Sequence, residues 1–323
     1  MKEIDSLALC NVQLHLEQAY KNYFRKLKNG ESAFPKFHSK HSKQSYTTNN
    51  INNSIRIENG LLKLPKIGFV KTIFHREVSG KIKSATISKT PDGKYYVSIL
   101  TEQENDRVLQ KTDKQVGIDL GLTHFATLSS GEKIENPKHY RRYEEKLKFL
   151  QRAISRKQKG GRNRNKARIK LAKHHQKIAN ARNDFLHNLS TKLIRENQII
   201  CLETLNVQNM QKNHHLAKSI SDASWSKFVN MLEYKAQIYG REIRKADTFF
   251  PSSKTCSYCG HKLTKLELKT REWKCQNCNT LHDRDLNASV NILNRCNSGD
   301  SLVIPPALAD VAQEAPASSG WGS

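Results

Sequence analysis

Leu9, Val12, Leu16, Ala19, Tyr20 and Phe24 recur near a 3.6-residue period, so residues 1–28 are expected to form one amphipathic helix, and one that starts abruptly. From about 54 to 100 the pattern changes to short β-rich runs: SIRIE, LLKL, GFVKTIF, KIKSATIS and KYYVSIL. Turn signals at Asn59-Gly60, Ser79-Gly80 and Pro91-Asp92-Gly93 separate them. Short runs joined by tight turns predict antiparallel structure, read here as a small barrel. After a polar stretch at 101–114, QVGID, HFATLS and EKIE predict three successive strands and the start of a second domain. Residues 138–197 read as long helix broken at Gly160-Gly161. The apolar run QIICL at 198–202 predicts a strand, and a linker follows it. Trp225, Phe228, Leu232, Ala236 and Tyr239 share one face of a helix over about 224–239, with Trp225 in the core. REIRKAD predicts another strand, and a last helix covers about 285–295. The Ala/Pro/Ser/Gly-rich tail from 297 is expected to be disordered.

Charge changes this picture from architecture to partner. The 323 residues carry 55 lysines and arginines against 30 acids, a formal charge of +25, which points to a polyanion, DNA or RNA. Segment 141–182 holds 16 of these cations against two glutamates, more than half of the excess. Such an imbalance favours a helical hairpin facing phosphates, with binding that weakens steeply in salt. Lys36, Lys40, Lys43, Lys63, Lys66 and Lys71 are further candidates for that surface. No apolar run reaches the length of a membrane helix, and the start MKEID is unlike a signal peptide, so a cytoplasmic location is expected and no membrane partner. Tyr95 and Tyr96 are read as packing residues. The doublets His174-His175 and His214-His215 are read as solvent-facing, with no site assigned.

Seven cysteines in a reducing compartment are not a disulfide framework. Cys256, Cys259, Cys275 and Cys278 are spaced C-x2-C-x15-C-x2-C, two knuckles that can each give two thiolates to one tetrahedral zinc ion. Four cysteines close the coordination sphere, so the expected role is structural, in a zinc ribbon over 252–280. Cys10, Cys201 and Cys296 remain as buried or free thiols.

Three acids fall where the strand pattern would gather them: Asp119 at the end of QVGID, Glu203 just past QIICL, and Asp285 at the start of the last helix. Singly, each has an ordinary explanation, and Asp283 or Asp285 could simply cap that helix. Together they form a carboxylate cluster, which is stable mainly when cations neutralise it, so Mg²⁺ or Mn²⁺ is implied. A pair of such ions can activate water and stabilise the leaving oxygen in phosphodiester hydrolysis.

GIDLG around Asp119, CLETL around Glu203, PSSKTCSYCG with WKCQNC, and HDRDLNASVNI around Asp285 together resemble the TnpB (OrfB) proteins of bacterial insertion sequences. KLPKIGFVK, GKYYVSIL, AKSISDASWSKF and LEYKAQIYG extend the resemblance over roughly 30–296. It implies an α/β-plus-β architecture: an RNase H-like (RuvC) core with an inserted zinc ribbon, preceded by a wedge-like β-barrel and a helical recognition module. The boundaries it implies are a partial helical module over 1–30, the barrel over 31–113, the core with its basic hairpin over 114–251, the ribbon over 252–280, the final helix over 281–296 and the tail over 297–323.

The activity implied is that of an RNA-guided DNA endonuclease dependent on divalent metal. Its partners would be a guide RNA from the mobile element and a double-stranded DNA target. Asp119, Glu203 and Asp285 would be its catalytic and magnesium-binding acids, with Asp283 in reserve. Members of this family usually begin some tens of residues earlier, so a shortened recognition module is expected here. The alternative reading is a DNA- or RNA-binding protein from a truncated copy, which does not cleave.

Overall fold

The computed structural model describes residues 4–298, apart from 32–33, 38, 40–43, 249 and 268, together with the backbone of 302–304. Two compact units emerge. The first runs to Glu104, and the second begins at Asn105, with Arg168–Lys173 of a long helix grouped with the first.

The first unit opens with helix α1 (Ser6–Lys28), capped by the Asp5 carboxylate on Leu7 N–H and ending in Arg25, Lys26 and Lys28, cations that suit a helix C-terminus. Two three-stranded antiparallel sheets follow. Strands β1 (Gln44–Asn49), β5 (Lys81–Lys89) and β6 (Tyr95–Glu102) make one; β2 (Arg56–Glu58), β3 (Leu61–Leu64) and β4 (Gly68–Lys71) make the other. Their inner faces share a core of Ile55, Leu62, Leu64 and Ala85. The pairings form two sheets, where a barrel would close into one ring. Strand β1 escaped the sequence reading because QSYTTN is polar; it pairs along β5, and Asn11 of α1 donates to Thr47 O. Tyr95 and Tyr96, expected to pack, are 67% and 45% exposed. They sit at the start of β6, where the core face runs out to solvent.

In the second unit, β7 (Gln115–Leu120), β8 (His124–Leu128) and β9 (Lys133–Glu135) form an antiparallel meander. Helix α2 (His139–Ser155), the break at Gly160-Gly161 and helix α3 (Arg162–Glu196) then lead to β10 (Ile199–Glu203), which returns parallel to β7. Two short helices missed by the sequence reading, α4 (Val207–Met210) and α5 (Ala217–Ala223), occupy the linker before α6 (Trp225–Tyr239). Strand β11 (Glu242–Ala246) lies parallel to β10. The hairpin β12 (Glu272–Lys274) and β13 (Leu281–Asp283) precedes α7 (Arg284–Asn297). Within the expected tail, Leu302–Ile304 add an antiparallel edge strand, β14, on β11; residues 299–301 and those beyond 304 lie outside the described residues.

The sheet order β14-β11-β10-β7-β8-β9 puts the first and fourth strands of the unit side by side at its centre, a RuvC-like order. Strand alternation gives the two faces different jobs. Val116, Ile118, Leu120, Ile200, Leu202 and Ile243 face a large core with Leu186, Leu193, Trp225, Phe228 and Leu232 of α3 and α6. Cys201 and Ala246, on the opposite face, meet Ile292 and Cys296 of α7. That second face is lined by small residues, and α7 lies close against it.

Candidate functional site

Register places the first two acids. Leu202 pairs with Ile118 in the parallel ladder, so Glu203 and Asp119 follow as neighbours at the same end of β10 and β7. The third acid comes from α7. Gly117, two residues before Asp119 and on the same face, leaves room for the helix: a Cβ there would lie 2.9 Å from Leu293 N and closer still to Ser289 O. Asp285 is one helical turn before Ser289, so the face that touches Gly117 also carries Asp285 towards Asp119.

The electrostatics agree with this placement. Burial holds the Asp119 carboxyl well above the usual carboxylate range, and the charges of Glu203 and Asp285 raise it further, against a lowering by Arg284. Burial lifts Glu203 to about 7, while the N–H of Leu120 pulls the other way. These two central carboxyls therefore resist losing their protons together, the condition that a divalent cation relieves. Donor chemistry and mutual repulsion fit a hard, oxygen-seeking ion. Among the described residues, however, the cysteines are the group drawn together tightly enough to hold a metal.

Asp283 has a different task. Its carboxylate caps α7, accepting from Asp285 N–H at 3.1 Å and Leu286 N–H at 2.9 Å, and it pairs with Lys133 Nζ at 2.6 Å. Those contacts give Asp283 a structural role at the start of α7.

Two arginines missed in the sequence surround the acids. Arg271 places Nη1 3.7 Å from Asp285 Oδ2 and Nη2 3.2 Å from Thr123 Oγ1. Its carbonyl accepts from Arg284 N–H at 2.8 Å, which ties it to the start of α7. Arg284 joins Glu203, Lys254, Lys262 and Thr264 in lining a pocket of about 860 Å³. Nothing in the local spacing marks either arginine; the β12–β13 ladder, which pairs Glu272 with Asp283, brings Arg271 to the acids.

The cysteine module is built from two matching turns. Cys256 O accepts from Gly260 N–H, and Cys275 O accepts from Asn279 N–H; Gly260 and Asn279, each following the second cysteine of a knuckle, take φ of +75° and +62°. Their sulfurs all lie within 4.8 Å of one another, and the pairs Cys256–Cys278 and Cys259–Cys275 are 3.6 Å apart. A tetrahedral zinc ion with ordinary Zn–S bonds needs sulfurs roughly 3.8 Å apart, so the residues fit zinc. Thr280 holds the Cys278 thiol down to about 6, and burial pushes Cys256 up to about 11. His282, also unforeseen, sets Nε2 3.0 Å from Cys256 Sγ and stacks on Trp273 at 4.7 Å. Its ring thus meets Cys256 from outside the four-cysteine group.

Elsewhere the basic segment forms a hairpin of α2 and α3, closed by Arg164 donating to Ile154 O and Lys157 O. Its two glutamates are engaged with Lys148 and Lys218. His174 stacks edge-on against Tyr143, whereas His175, His214 and His215 are exposed. Cys10 is exposed; Cys201 and Cys296 are buried. Lys40 and Lys43 lie outside the described residues. No helix among the described residues is long and apolar enough to cross a membrane.

A RuvC-like sheet order with carboxylates at the ends of its central parallel strands, joined to a four-cysteine module able to hold zinc, defines the class of protein. Family comparison narrows it. The family OrfB_IS605, described as "Probable transposase", matches residues 98–214, and "Cas12f1-like, TNB domain" matches residues 225–292. The chain is 42% identical over 296 residues to a "Putative RNA-guided DNA endonuclease" of Streptomyces pristinaespiralis, covering 91% of this chain and 72% of that protein. It is 32% identical over 310 residues to the "Putative RNA-guided DNA endonuclease InsQ" of Escherichia coli (strain K12), covering 91% and 75%. A cryo-EM structure of a Cas12f1-sgRNA-target DNA complex is a more distant likeness, with TM-score 0.42 and 16% identity over 85% of this chain and 76% of that one. The chain belongs to the TnpB (OrfB) family of insertion-sequence proteins.

Proposed function

We propose that this chain is the RNA-guided DNA endonuclease of an insertion sequence, hydrolysing phosphodiester bonds at Asp119, Glu203 and Asp285. The observation that carries the reading is the coupling of the three carboxyls at one end of the central strands, with Asp119 raised by burial and by both other acids. Relatives named as RNA-guided endonucleases supply the activity class.

Asp119, Glu203 and Asp285 would hold Mg²⁺ or Mn²⁺, which supplies water activation and stabilisation of the leaving oxygen when bound. The chain's own contributions are distinct. Asp119 and Glu203 must give up their protons to become ligands, and Arg271 and Arg284 lie beside the acids as candidates to meet the phosphate of the strand being cut. The pocket from Glu203 to Leu266 offers Lys254 and Lys262 to flanking phosphates and Phe250 and Leu263 as an apolar wall. Cys256, Cys259, Cys275 and Cys278 would hold a structural zinc ion in a ribbon, and the two sheets of the first unit would form the wedge-like module. The partners are a guide RNA, which supplies sequence recognition, and duplex DNA, with the α2–α3 hairpin as a phosphate-facing surface.

The test is Mg²⁺-dependent cleavage of a plasmid library by the chain co-expressed with RNA from its element's end, beside Asp119→Ala. Cutting by the parent alone, with nucleic-acid binding retained by the variant, supports the reading. Binding without cutting by the parent would leave a nucleic-acid-binding protein.

A further inference from the structure

The outer face of the β2–β3–β4 sheet carries Arg56, Lys63, Phe69 and Lys71. Cross-strand register aligns Arg56 with Lys63 and Lys63 with Phe69, so the three side chains form one row, with Lys71 further along the same face. The opposite face supplies Leu62 and Leu64 to the core, so the row points outward. Phe69 is 48% exposed, a large apolar ring that the fold does not bury.

Two cations lie over that ring, Arg56 Cζ at 5.9 Å and Lys63 Nζ at 5.7 Å from its centroid. Glu58, the acid on this face, is already ion-paired with Arg56. Tight connections hold the row in place. Asn59 and Gly60 both take positive φ, at +50° and +74°, as a two-residue hairpin turn with the strands' own twist requires. Lys66 and Gly68, at +63° and +84°, close the second hairpin.

We propose that Phe69, flanked by Arg56, Lys63 and Lys71, is a stacking platform for an unpaired base of the guide RNA. An exposed aromatic ring on a sheet face with cations beside it matches the chemistry that holds single-stranded nucleic acid: the ring takes a base, and the cations take adjoining phosphates. Duplex DNA keeps its bases stacked inside, whereas RNA offers unpaired bases in loops and ends, so RNA is the occupant. The inference rests on the proposed function for the presence of a guide.

The experiment measures affinity for the RNA from the element's end and for oligothymidylate, using the full chain without Mg²⁺, for the parent, Phe69→Ala and Phe69→Trp. Because Phe69 is exposed, the variants are expected to keep the parent's melting curve. Phe69→Ala should bind the RNA about tenfold more weakly, and Phe69→Trp should keep parental affinity. RNA carrying 4-thiouridine should crosslink to β4. Unchanged RNA affinity in Phe69→Ala would overturn the platform, as would a loss confined to oligothymidylate. A parent that does not bind the RNA at all would instead remove the guide-dependent reading on which the platform rests.

Discussion

Gly117 in β7 and Ser289 in α7 approach so closely that no side chain fits between them; a Cβ on Gly117 would run into the Ser289 carbonyl oxygen. That contact sets the distance between sheet and helix, and with it the distance between Asp119 and Asp285. The glycine is needed here for space, since its φ lies outside the left-handed region.

Gly117→Ala should therefore push α7 off the sheet. Overpacking against backbone that cannot move aside should cost about 3 kcal/mol or more. The melting temperature should fall by roughly 5–10 °C. Cleavage should fall further than folding does, because Asp285 leaves with the helix. Activity measured well below the melting point separates the two effects.

Protonation links the acids to stability. Glu203 is raised to about 7 by burial, so the native state keeps a proton that the unfolded chain releases near its ordinary carboxylate value. Its stabilising contribution is full below the unfolded value and is lost as pH rises through the folded value near 7. In Mg²⁺-free buffer, Glu203→Gln should exceed the parent in stability by on the order of 3 kcal/mol at about pH 8 and by little at about pH 4. Paired urea titrations at the two pH values check this; Asp119→Asn should behave in the same direction.

His282 lies against the four-cysteine group proposed to hold zinc. Substituting Cys275→Ser should remove bound zinc and unfold the module around Trp273 and Leu263, because little else holds so small a core. His282→Ala leaves four ligands but removes the ring beside Cys256 Sγ, so zinc affinity should fall by about 10–100-fold. Competition with a chromogenic chelator reads both, and equal affinity in parent and His282→Ala would show that the imidazole does not support the thiolate.

Arg271 pairs with Asp285 at 3.7 Å, yet its side chain is 57% exposed. Its ion pair should therefore add less than about 1 kcal/mol to stability. Removing it should matter more for ions: Arg271→Ala should bind Ca²⁺, a non-cleaving probe of the acids, more tightly by calorimetry, because a competing charge is gone. Cleavage in Mg²⁺ should nevertheless fall, since the phosphate loses a partner.

The centre of the second unit was legible in the sequence because its signals are local. QVGID, QIICL and REIRKAD became β7, β10 and β11; Gly160-Gly161 broke the long helix, and C-x2-C spacing announced the four-cysteine cluster. Asp119, Glu203 and Asp285 were recognisable by motif, but only strand register and the Gly117 approach bring them together. What stayed hidden depends on distant partners. Polar β1 is a strand because β5 supplies its ladder, and β14 because β11 has an open edge. Arg271, Arg284 and His282 gain their meaning from a hairpin that places them, and the short helices α4 and α5 lack the repeated apolar face that reveals longer ones.

The most direct measurement is Mg²⁺-dependent plasmid cleavage by RNA-loaded parent, Asp285→Asn and Asp283→Asn, each with its melting temperature. Asp285→Asn should show no detectable cutting while keeping a normal melting curve. Asp283→Asn should still cut, with a modestly lowered melting temperature, since it weakens a helix cap and the ion pair with Lys133. Cleavage that survives in Asp285→Asn, or that is abolished in well-folded Asp283→Asn, would contradict the three-carboxylate centre.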